Sequence, residues 1–141
     1  MNAELNDLDR ELIAAAEETL QRCYHPERHT VAASARSRTG KIYSGINIEA
    51  CAYGPCAEPI ALGTAFTAGD RNIETIVAIH RVGDEFQVLS PCGNCRQLLY
   101  DYLPDVWVIY IDNGRVDKAQ VHDLLPGAYS SGFFPDGSEE S

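Results

Sequence analysis

Chemistry-bearing side chains gather in two short segments, Gly54-Pro55-Cys56-Ala57-Glu58-Pro59 and Ser90-Pro91-Cys92-Gly93-Asn94-Cys95-Arg96-Gln97. Each sets a cysteine where the pattern predicts the start of a helix, and there the helix dipole and unpaired N–H groups favour a thiolate. Cys92 and Cys95 stand three residues apart, so one helical turn points both at the same ion. Cys56 on the other helix start supplies a third sulfur, and sulfur-rich tetrahedral coordination selects zinc. With three protein ligands the fourth position stays open to water, the mark of a catalytic site. Glu58 lies two residues beyond Cys56 and reaches toward that position without being a ligand, as a proton carrier would. Two plainer readings compete. Cys51 could join Cys56, Cys92 and Cys95 in a closed structural site of four cysteines, and Glu58 could answer the helix dipole alone.

These residues need elements to hold them. Leu5, Leu8, Leu12, Ala16 and Leu20 recur at helical spacing, which predicts an amphipathic helix from about 3 to 22, stopped by His25-Pro26. Alternation around Val31, Ala33 and Ala35, then Ile42, Ser44, Ile46 and Ile48, predicts a hairpin over 30–48. A helix over 56–68 tolerates Pro59 in its first turn. Ile73 to Val82 reads as a strand, Gly83-Asp84 as a turn, and a short strand runs through Val88. A helix over 93–103, a strand over Val106 to Ile111 covered on both faces, and a last strand and short helix over 115–125 complete the order. Such alternation predicts a three-layer α/β sandwich.

The 141 residues suit one domain, read as 1–134 with an acidic tail at 135–141. A net charge of −10, with only Lys41 and Lys118 as lysines, opposes a polynucleotide partner. The longest apolar run, six residues from Val106 to Ile111, is far below the ~20 needed to span a membrane. The polar, acidic start MNAELNDLDR predicts no export signal, and an odd count of five cysteines predicts no disulfide framework, so the expected location is the cytoplasm. Cys23 reads as a buried small hydrophobe, and His80 as a core or edge histidine.

Taken together, Cys56-Ala57-Glu58 and Pro91-Cys92-Gly93-Asn94-Cys95 follow the zinc deaminase pattern. With GINIEA at 45–50, SPCGNCRQLL at 90–99 and LLPGAYS at 124–130, the chain resembles the cytidine deaminases from about Leu8 to Phe134, and within them the blasticidin-S deaminases. The resemblance implies an α/β/α sandwich around a mixed five-stranded sheet, a Zn2+ cofactor, a small nucleoside substrate and a homotetramer. It implies hydrolytic deamination of cytidine or deoxycytidine, or of a cytosine nucleoside antibiotic such as blasticidin S. It further implies that Asn47 and Glu49 contact ribose hydroxyls, that the backbone at Ala57 and Ser90 orients the base and the departing ammonia, and that Tyr53 and Tyr129 approach a neighbouring subunit's pocket.

The chain departs from that family at three places. Pro59 stands where an Arg often relieves the thiolate charge, leaving Arg96 or the helix N-termini to do so. The spacing of nine from Asn47 to Cys56 is short for a cytidine deaminase and read as closer to blasticidin-S deaminase. His29 falls where the family packs a Phe near the base. A zinc module used only for assembly is the competing non-enzymatic class.

Overall fold

The computed structural model describes residues 2–130. Its elements are β1 (Asn2–Ala3), α1 (Asp7–Cys23), β2 (Val31–Ser37), β3 (Ile42–Ile46), α2 (Ala57–Thr67), β4 (Ile73–Val82), β5 (Glu85–Leu89), α3 (Gly93–Tyr102), β6 (Trp107–Asp112) and β7 (Arg115–Gln120), followed by a 3-10 turn at Val121–Leu124. The acidic tail expected at 135–141 lies outside the described residues. No helix among the described residues is long and apolar enough to cross a membrane.

Helix α1 starts four residues later than the leucine spacing predicts because Asn6 caps it. The Asn6 side chain accepts the Asp9 N–H at 2.9 Å, and Asp9 returns the bond from the Asn6 N–H at 3.0 Å. The residues ahead of the cap pair instead with β7 as a two-residue strand, which periodicity could not reveal. Leu12, Ala16 and Leu20 then pack on Ala32, Val77, Ile79 and Ile109 of the sheet. Burying Leu12 and Leu20 contributes about 1.5–3 kcal/mol each.

The sheet runs β1-β7-β6-β4-β2-β3, with β5 also pairing β4. The resemblance implies five strands and the pattern along the chain predicts six, including the short strand through Val88; the sheet holds seven, with β1 added at one edge. β4 pairs parallel with β6, while the other pairs are antiparallel. β4 is central because both of its faces are apolar. Helices α2 and α3 cover the face opposite α1, where Leu62, Ala65 and Leu99 meet Ala35, Ile76 and Val108. The result is a three-layer α/β/α sandwich.

Two features of this frame bear on the site. β6 pairs with β4 over Thr75 to Val77 and β5 takes over from Ala78, so the sheet splits there. Ser90, just past β5, clips the split: its Oγ donates to the Ile111 carbonyl at 2.8 Å and accepts the Ile111 N–H at 3.0 Å. Gly45 lets α2 lie directly against β3, since a Cβ there would stand 2.4 Å from the Ala61 nitrogen.

A buried ion cluster, unforeseen in the sequence, ties α1 to the sheet. Asp9 is fully buried and accepts from Lys118 Nζ at 2.7 Å and Arg36 Nη2 at 3.2 Å. Arg36 also donates to Thr75 Oγ1 and Glu74 Oε2, both at 3.0 Å. Burial alone would raise the Asp9 pKa, but the bonds from Lys118 and the Asn6 backbone outweigh it and hold the carboxyl below its ordinary value.

Candidate metal and catalytic site

Cys56 is the N-cap of α2, with φ −67° and ψ 169°, and Cys92 is the N-cap of α3, with φ −70° and ψ 171°. Neither thiol caps its own helix, so both sulfurs are free to turn toward each other. Their Sγ atoms stand 3.9 Å apart, and with Cys95 the three sulfurs lie within 4.8 Å of one another. Two sulfurs about 2.3 Å from a tetrahedral zinc would be separated by about 3.8 Å, so this donor set fits that ion. Cys51 is exposed and outside the cluster, which removes the fourth sulfur that a closed structural site would need.

The surroundings divide the three thiols. Burial would raise Cys92, but N–H groups of Cys95 and Asn94 and the neighbouring cysteines bring it below the ordinary thiol range. Burial pushes Cys56 up, and it pushes Cys95 up further, aided by the charge of Glu58. Buried thiols of this kind give up their protons to a cation that replaces the lost charge, as zinc does. Glu58, only 5% exposed, sits in the first turn of α2 and accepts from Cys95 Sγ at 3.6 Å. Burial raises its carboxyl above the ordinary value.

The cluster faces a cavity of about 290 Å³. Of the residues expected at a site, Asn47, Glu49, Cys56, Ala57, Glu58, Ser90 and Cys92 line it, with the buried Cys95 behind them. Asn47 does much of the local building. Its Oδ1 accepts the N–H groups of Thr30 at 2.7 Å and Val31 at 3.0 Å, joining β3 to the start of β2. Its Nδ2 donates to Glu49 Oε2 at 3.1 Å and so orients that carboxylate. The loop after Glu49 is short because it folds straight back: Ile48 N–H donates to the Pro55 carbonyl at 3.1 Å. Gly54 permits the closeness, since a Cβ there would lie 2.7 Å from the Ile48 oxygen.

Four expected residues stand apart from the cavity lining. His29 is outside the lining, with Nδ1 2.9 Å from the Asn47 carbonyl. Tyr53 and Tyr129 are 73% and 71% exposed outside it. Arg96, expected to neutralise thiolates, instead donates from Nε to the Pro91 carbonyl at 2.9 Å and from Nη1 to the Leu124 carbonyl at 3.0 Å. Two carbonyls within reach bind the guanidinium in place of the sulfurs. The lining also includes Thr30, Val31, Gly54, Pro55 and Leu89, which sequence reasoning missed. Thr30 and Val31 had a signal available, since they open the strand that pairs with Asn47's.

Comparison with known proteins converges on the same elements. The family model for the cytidine and deoxycytidylate deaminase zinc-binding region matches residues 6–111. The chain is 38% identical over 133 residues to a blasticidin-S deaminase of Bacillus cereus, covering 89% of this chain and 95% of that protein. It is 35% identical over 130 residues to a cytidine deaminase of Halalkalibacterium halodurans, covering 88% and 96%. The crystal structure of a cytidine deaminase from Burkholderia pseudomallei superposes with a TM-score of 0.71 at 30% identity, covering 89% of this chain and 100% of that one. The matched region contains both helix starts and all three clustered sulfurs, and its extent is decisive: this chain belongs to the cytidine and deoxycytidylate deaminase zinc-binding family.

Proposed function

We propose that this protein is a zinc-dependent hydrolase that deaminates a free cytosine nucleoside, turning cytidine or deoxycytidine and water into the uracil nucleoside and ammonia. Cys56, Cys92 and Cys95 hold the ion. Zinc, when bound, would supply a water acidified far below its bulk value, toward a pKa of about 7. Glu58 carries both water protons in turn on its carboxylate, the first to ring nitrogen N3 and the second to the departing amine. The C–O bond forms at C4 as N3 gains the first proton, and the C4–amine bond breaks afterwards as the amine gains the second and leaves as ammonia, so atoms and charge balance. Glu49 accepts from a sugar hydroxyl, Asn47 fixes the orientation of Glu49, and the backbone at Ala57 and Ser90 meets the base.

The observation that carries this reading is the approach of three sulfurs within 4.8 Å beside the buried carboxyl of Glu58, with Cys56, Cys92 and Glu58 lining one cavity. Similarity to the Bacillus cereus blasticidin-S deaminase supports a second reading, in which the same chemistry acts on a cytosine nucleoside antibiotic. Ammonia release from cytidine, deoxycytidine, cytosine, blasticidin S, adenosine and guanosine separates the two. Wild type releases ammonia from a cytosine nucleoside, and Glu58→Gln lowers kcat by about 10²–10⁴ while keeping its zinc. No release from any member of the panel contradicts the enzymatic reading and favours a zinc module for assembly. We infer a cytoplasmic homotetramer as the working form; the exposed Tyr53 and Tyr129, outside the cavity of their own chain, support the assembly.

A further inference from the structure

Resting on the nucleoside reading, in which Glu49 meets a sugar hydroxyl, we infer that His29 is a positioning residue for the substrate: its ring holds the Asn47 carbonyl and so fixes Glu49 relative to the start of α2. A carbonyl only accepts, so across the 2.9 Å contact His29 Nδ1 carries the hydrogen and donates it. The ring is half-buried and outside the cavity lining, so it acts on a substrate through the residues it holds.

The backbone shows why this bond matters. The peptide joining Asn47 to Ile48 is gripped at both ends: its carbonyl accepts from His29, and its N–H donates to the Pro55 carbonyl at 3.1 Å. Pro55 precedes Cys56, so that peptide is a strut between the segment carrying Glu49 and the first of the clustered cysteines. On either side of it, Asn47 N–H donates to the Val31 carbonyl at 3.0 Å and Glu49 N–H to the Arg28 carbonyl at 3.2 Å. Those bonds are made by main-chain groups and survive substitution; the His29 bond does not. The ring also stands on a firm base. His29 N–H donates to the His25 carbonyl at 2.9 Å and the His25 N–H returns to the His29 carbonyl at 3.0 Å, closing a tight loop around Glu27 at φ 75°. Without the ring the Asn47 carbonyl loses its donor and the strut turns. Glu49, whose carboxylate hangs on Asn47 Nδ2 at 3.1 Å, then drifts from the sugar.

Two variants test this. His29→Phe keeps a ring and removes the donor, whereas His29→Asn keeps a nitrogen at the same number of bonds from the backbone. Values of kcat and KM are measured on zinc-loaded enzyme for cytidine and for 2′,3′-dideoxycytidine, which lacks the hydroxyls open to Glu49. His29→Phe is expected to raise the cytidine KM about five- to twentyfold while kcat stays within about threefold. The dideoxycytidine KM changes less than about twofold, and His29→Asn returns the cytidine KM to within about threefold of wild type. Both variants keep about one zinc per chain. Nitrogen-15 NMR of the wild type, which needs no turnover, shows His29 protonated at Nδ1. A cytidine KM unchanged in His29→Phe, an equal rise for both substrates, a loss of zinc, an Asn variant no better than Phe, or an unprotonated Nδ1 each overturns the inference. Should His29→Phe not fold, the NMR result and the KM of His29→Asn decide. Wild type that deaminates cytidine no better than dideoxycytidine overturns the positioning role and leaves the nucleoside chemistry standing. No ammonia from cytidine overturns the nucleoside reading and this inference with it.

Discussion

At the scale of single residues, the site depends on what each side chain is left free to do. Cys56 and Cys92 occupy N-cap positions that usually hold Ser, Thr, Asp or Asn, and their sulfurs form no cap. That surrender of helix capping frees both for a metal. Cys51, five residues before Cys56, is exposed and outside the cluster. Zinc measured by mass spectrometry on purified protein separates them: Cys51→Ser retains about one zinc per chain, and Cys92→Ser loses it. Loss of zinc from Cys51→Ser would mean that the ion is enclosed by four sulfurs. The two cysteine segments were readable from sequence because helix-start chemistry is local. The use of Arg96 was not, because its acceptor at Leu124 belongs to a segment 28 residues away.

At the scale of elements, the helices are placed by contacts of very different legibility. Hydrophobic spacing located α1 to within a few residues, the segments behind the two cysteine motifs, one with Pro59 in its first turn, located α2 and α3, and β4 ends where its β-branched run ends. The missed β1 has only two residues, too few to carry a period. The Asp9 cluster was equally hidden, since its partners lie 27 and 109 residues away. It nevertheless governs how α1 docks. Removing Asp9 leaves the buried Lys118 without its carboxylate and takes one of two from Arg36, which keeps Glu74, so Asp9→Ala costs about 3–5 kcal/mol in urea unfolding at pH 7. The sign of the pH dependence follows from the depressed Asp9 pKa. Its stabilisation is complete above the unfolded value of about 3.9 and is lost as pH falls through the lower folded value. The stability gap between wild type and Asp9→Ala is therefore constant above about pH 5 and narrows below about pH 4. A gap that widened on acidification would show that Asp9 is not held as the anion.

At the scale of the whole molecule, the split in the sheet between β5 and β6, clipped by Ser90, gives the Cys92 loop a fixed seat opposite Cys56. One domain therefore brings together groups that lie 36 residues apart in the chain. The exposed aromatics Tyr53 and Tyr129 stand outside the cavity of their own chain, and sedimentation of the zinc-loaded protein is expected to give four chains per particle. A monomer of full activity would separate the chemistry from assembly. All of this depends on a metal centre with one open position beside a carboxyl group. X-ray absorption at the zinc edge tests it most directly. Three sulfur scatterers at about 2.3 Å and one lighter atom at about 2.0 Å are expected, whereas four sulfurs around the ion would contradict the account.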